Sequence, residues 1–105
     1  MTRDEADRWG RDKKGERVDV PAAVLALVVE RLGARRCVDC ARLGIVTPET
    51  VPLEVDHVRA LARGGDHHHT NLTLRCRSHN RAKAARPATT PPKAPAWERR
   101  RRWTR

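Results

Sequence analysis

At 105 residues with neither Phe nor Tyr, the chain can build one compact domain around a thin core, which excludes a two-domain reading. Lys and Arg number 23 against 13 Asp and Glu, a formal net charge of +10. Because the guanidinium fork matches phosphate oxygens and neutralised phosphates release counterions, the partner to expect is a nucleic acid.

Residues 1–19 carry balanced basic and acidic side chains, one Trp and no helical or strand periodicity, and they read as a charged, mobile arm with no signal-peptide run. Pro21–Leu32 reads as a helix, with Asp19 as its cap, Pro21 in its first turn and Gly33 as its stop. Val24, Leu25, Val28, Val29 and Leu32 recur at helical spacing, so this helix is a packing element. Its apolar run, Val20–Val29, is too short to span a bilayer, and no membrane partner is expected. After Cys37 and Cys40 comes a turn with Pro48, then a strand at Val51–Val58 and a break at Gly64 and Gly65. A second strand at Leu72–Cys76 and a helix from Ser78 to Arg86, ended by Pro87, complete the domain expected over 20–86. Residues 87–105 read as a Pro-rich linker with a basic tip. That tip, with five Arg and two Trp, is either a solvated tail or a segment that follows a phosphate backbone and stacks on bases.

A core this small leaves much of its surface wet, and the cysteines offer a staple. Cys37-Val-Asp-Cys40 and Cys76-Arg-Ser-His79 are two pairs, each spaced by two residues. Three thiolates and one imidazole form a common closed tetrahedral set for structural zinc, and such a site can add on the order of 10 kcal/mol to folding. An odd number of cysteines, all absorbed by one knuckle, argues against disulfides and for a reducing cytoplasm.

The segment Leu53-Glu-Val-Asp-His57, then Gly64-Gly-Asp66, Asn71-Leu72 and Leu74-Arg-Cys-Arg-Ser-His-Asn80 with Lys83, resembles the HNH endonuclease family. The resemblance covers about half the chain and rests on the order and spacing of these pieces. It implies an α+β fold with a ββα-metal, or His-Me finger, core: two short strands and a helix around one catalytic cation, here with a zinc knuckle, a preceding helix and irregular charged tails. The implied activity is metal-dependent hydrolysis of DNA, double-stranded DNA for preference, leaving 5′-phosphate and 3′-hydroxyl ends. Small free-standing members are often encoded by bacteriophages, some of them acting with the terminase in packaging, so terminase or portal proteins are implied partners.

The chemistry assigns roles residue by residue. His57 is the candidate general base, since an imidazole with an ordinary pKa of about 6.5 is largely neutral at neutral pH. Asp56, its neighbour on the strand, and Asn80, matching the family's metal-binding position, are the expected oxygen ligands of a magnesium or manganese ion. Asn71 is expected to orient His57 through a hydrogen bond. Glu54 shares the strand face of Asp56, where it either supports the metal site or is solvated. Arg75, Arg77, Arg81 and Lys83 are expected to grip phosphates. His79 stands where the family more often has Cys; it is assigned to the zinc, with ligation of the catalytic ion as the alternative. The His67–His69 run is expected to be solvated. The principal rival is an inactive zinc-stabilised nucleic-acid-binding module. It does not account for Asp56, because a carboxylate on a phosphate-binding face repels the ligand unless a cation intervenes. An RNA-binding protein is less well matched, for want of a core aromatic ladder.

Overall fold

The computed structural model describes residues 1–15, 18–85 and 91–103. Three of the expected elements recur with shifted bounds and one recurs unchanged. α2 spans Ala22–Leu32 and ends at Gly33, but Pro21 is its N-cap and no side chain caps it, so Asp19 has no capping role. Its buried face is Val24, Leu27 and Val28, with Leu25, Val29 and Leu32 half-buried beside them. β1 is Leu53–His57 and β2 is Leu72–Cys76; they pair as a two-stranded antiparallel sheet. α4, Arg77–Ala85, follows β2 directly, so the chain runs β1, β2, α4 in ββα order. The expected end of that helix at Arg86 and Pro87, and the first part of the Pro-rich linker, lie outside the described residues.

Three helices were not foreseen. α1, Arg3–Arg8, replaces the mobile arm. Thr2 Oγ1 accepts from Glu5 N at 3.1 Å, which satisfies one of the free amides at the helix start. Ala6 is buried, and Arg3 makes a paired contact with the Glu30 carboxylate of α2 at 2.8 Å. α3, Val38–Arg42, lies between and beyond the two cysteines of the first pair. α5, Ala96–Trp103, makes the basic tip helical.

The chain divides into two compact units: Met1–Ala34 with Val55–Thr73, and Arg35–Glu54 with Leu74–Arg105. In the first unit Ala6, Val24, Leu27, Val28 and Leu72 are buried, and Arg31 donates to the carbonyls of His69, at 2.9 Å, and Leu72. In the second, the buried centre is Cys37, Cys40 and Cys76, with Ile45, Val51, Leu53 and Trp97 packed against it. Trp97 therefore serves as cover for the cysteines. Sulfur takes the place that aromatic rings occupy in larger cores. No helix among the described residues is long and apolar enough to cross a membrane.

Candidate functional site: a cysteine and histidine knuckle, a histidine pair and a basic cleft

The two cysteine-bearing pairs converge. Cys37, Cys40, Cys76 and His79 are all buried, and their ligand atoms lie within 4.8 Å of one another. His79 Nδ1 is 3.2 Å from Cys37 Sγ and 3.4 Å from both Cys40 Sγ and Cys76 Sγ, and Cys40 and Cys76 stand 4.0 Å apart. A tetrahedral ion with bonds of about 2.3 Å to sulfur and about 2.0 Å to nitrogen sets ligands about 3.6–3.8 Å apart, close to these separations. A disulfide needs sulfurs about 2.05 Å apart, and all three cysteines are free. Burial pushes the Cys37 and Cys40 thiols up, and for Cys40 the neighbouring Cys37 sulfur adds to the rise. Bare thiolates are therefore disfavoured here, and a cation is what stabilises them.

Local structure sets up the donors. Cys37 caps α3, its sulfur accepting from Cys40 N at 3.4 Å while its own amide donates to Thr47 Oγ1 at 3.1 Å. His79 Nε2 lies 2.6 Å from the Lys93 carbonyl, which can only accept; Nε2 thus carries the proton and Nδ1 presents its lone pair to the sulfurs. The buried Cys3His cluster can thus hold a structural metal ion. His79 belongs to this cluster.

Asp39, between the first two cysteines, is fully buried, and Arg75 meets it with a 3.1 Å contact while Arg42 lies at 3.6 Å. Arg75 is only 11% exposed at its side chain, so its assignment to phosphate contact is corrected: it neutralises a carboxylate beside the knuckle. Arg77 and Arg81 are exposed. They line a 390 Å³ cleft together with Pro52, Glu54 and Asn80. They also border a neighbouring 580 Å³ cleft that includes Trp97 and Arg100. Glu54 is thus exposed into a basic cleft shared with Asn80. Lys83, on α4, is half-buried.

Asp56, His57 and Asn71 belong to the first unit and Asn80 to the second. Asp56 and His57 are half-buried at the end of β1. Asn71 does not orient His57 by a direct bond. Its Oδ1 accepts from Arg59 N at 2.8 Å, and its Nδ2 donates to Arg59 O at 3.2 Å and to Asp66 O at 2.8 Å. It ties the chain just after His57 to the chain just before His67. The loop it closes is tight: a Cβ on Gly65 would stand 1.9 Å from the Arg59 carbonyl oxygen, so only glycine fits.

The His67–His69 run is not solvated. His67 and His68 are each 2% exposed. His57 Nε2 meets His67 Nδ1 at 3.0 Å, and their rings stand edge to face with centroids 4.9 Å apart. His68 Nε2 meets the Asp7 carbonyl at 2.5 Å, and its Nδ1 is 3.3 Å from the Thr70 amide that donates to it. His69 Nε2 is 2.8 Å from Asp7 Oδ1, and that bond holds the Asp7 carboxyl below its ordinary value. Asp7, His68 and His69 form a second group of metal-type donors, but each takes part in hydrogen bonds that join α1 to this loop. Sequence reasoning missed these histidines because nothing local distinguishes a buried polar run from an exposed one; the Asp7 partner of His68 and His69 lies 61 and 62 positions away.

No curated protein and no solved structure matches the chain. The model of the HNH endonuclease family matches residues 37–86, from the first knuckle cysteine to just past α4. Residues 37–86, which hold the Cys3His knuckle, the Asp-His strand and Asn80, thus form a segment of the HNH endonuclease family.

Proposed function

We propose that this protein is a metal-dependent DNA endonuclease in which His57 removes a proton from the attacking water. The observation that carries the reading is the HNH family match over residues 37–86, within which the knuckle cluster and the arginine-lined cleft at Asn80 both fall. Hydrolysis of a phosphodiester requires deprotonation of the nucleophile and stabilisation of charge on the phosphorus and the leaving oxygen. His57 meets the first need. Arg77 and Arg81 hold phosphates beside Asn80, and their charge suits a duplex backbone. Asp56 and Asn80 are assigned as the oxygen donors for magnesium or manganese on the family resemblance. The ion, when bound, supplies Lewis-acid stabilisation of the departing 3′ oxygen. Zinc is the metal assigned to the knuckle, since thiolate and imidazole donors in a closed tetrahedral set suit it. The free thiols fit a reducing cytoplasm, and a phage-encoded nuclease acting beside terminase or portal proteins is the setting the resemblance suggests.

The test is a plasmid-nicking assay on zinc-loaded protein in EDTA, magnesium and manganese, with His57→Ala beside the wild type. Cleavage by the wild type in the divalent ions only, with DNA binding but no cleavage by the variant, is the expected result. A wild type that binds DNA yet never cuts it identifies the inactive binding module instead.

A further inference from the structure

We propose that His67 is a positioning residue for His57, fixing the imidazole tautomer that lets it act as a base. The inference deepens the proposed activity and rests on it. A neutral imidazole carries one proton, and which nitrogen holds it is set by the partner of the other nitrogen. His57 Nε2 faces His67 Nδ1 at 3.0 Å. If Nε2 donates in that bond, the His57 lone pair sits on Nδ1, the nitrogen that takes the proton from water; if His67 donates instead, Nδ1 is protonated and His57 cannot serve. The surroundings hold the His67 ring in place against His57. Its ring is almost wholly buried beside Trp9, with ring centroids 6.4 Å apart. Its amide donates to the Gly10 carbonyl at 3.1 Å, and Gly10 approaches so closely that a Cβ there would lie 2.6 Å from the His67 carbonyl group.

Asn71 completes the arrangement. By bonding to Arg59 and to Asp66 at once, it fixes the backbone two residues after His57 and one residue before His67. The two rings are thus held from both sides of one loop, and the N-terminal segment through Gly10 becomes part of the catalytic unit.

The experiment compares His67→Leu, which fills the space without an acceptor, with His67→Asn, whose Oδ1 stands near the place of the imidazole Nδ1. In the full-length, zinc-loaded protein, His67→Leu is expected to lower kcat for nicking about 100-fold, the low end of what a positioned base contributes, with KM and melting temperature close to wild type. His67→Asn is expected to recover most of that loss. Equal rates for wild type and His67→Leu, or equal loss in both variants, overturns the proposal. Should His67→Leu fail to fold, nitrogen-15 imidazole spectra of the wild type decide the matter: His57 protonated on Nε2 supports the role, and protonation on Nδ1 overturns it. Those spectra do not depend on cleavage, so a wild type inactive in every metal defeats the nuclease reading while leaving the histidine pair separately decided.

Discussion

Arg75 Nε lies 3.1 Å from Asp39 Oδ2, joining a β2 side chain to the fully buried carboxylate between the first two knuckle cysteines. Removing one partner of a buried ion pair leaves a desolvated charge and costs about 3–5 kcal/mol. Arg75→Ala is therefore expected to lower the melting temperature sharply while leaving the per-molecule DNA affinity of the folded fraction unchanged. A stable Arg75→Ala protein with weakened DNA binding would return this residue to the phosphate-contacting set.

Arg77 and Arg81 should behave in the opposite way. Both are exposed at the Asn80 cleft, so alanine at either position removes a positive charge from the cleft without opening the core. Fluorescence anisotropy across a salt series should show weaker binding, with the slope of log K against log salt reduced by about 1 for each arginine and thermal melting unaltered.

Metal removal should be the most damaging perturbation. Cys76→Ser, or prolonged chelation, takes away a stabilisation on the order of 10 kcal/mol, and circular dichroism should report loss of the cooperative melt. The pH dependence has a definite sign. Bound sulfurs are held as thiolates, whereas burial raises the Cys37 and Cys40 thiols in the metal-free fold, so protons compete with the ion. Stability derived from the metal is present at neutral pH and lost on acidification, as the sulfurs reprotonate. A chromophoric chelator should therefore capture zinc faster at about pH 5 than at about pH 8; release that slows in acid contradicts thiolate ligation.

Gly10 offers a test of the N-terminal segment. It is buried at φ 91°, and a methyl group there would meet the His67 backbone at 2.6 Å. Gly10→Ala should destabilise the protein by about 1–3 kcal/mol, read from denaturant midpoints. Gly44→Ala is a useful comparison: it has φ 73° but open space around it, so it carries the backbone strain without the collision.

The knuckle and the ββα order were legible because they are written locally. Two pairs with equal spacing use every cysteine, β2 is bounded by a turn and a helix, and α2 shows its face at helical spacing. The N-terminal helix was not, since six residues with one buried alanine leave no periodic trace; α1 is held by the Thr2 cap and the Arg3 contact with Glu30, a partner 27 positions away. Arg75 misled because a basic residue in a basic segment suggests phosphate, while its true partner lies 36 positions earlier. For Asn71 a single side-chain bond to His57 was expected, whereas its amide spans two backbone segments. For α1 and Arg75 the deciding contact is remote in sequence, where composition and period carry no information.

His79 touches two things at once: its Nδ1 faces the sulfurs and its Nε2 holds the Lys93 carbonyl at 2.6 Å, a few residues ahead of α5. Stripping the ion therefore loosens the anchorage of the strand of chain that leads into the last helix. Trypsin, which cuts after lysine, becomes a reporter of metal content, with cleavage at Lys93 slow in the loaded protein and fast in the stripped one.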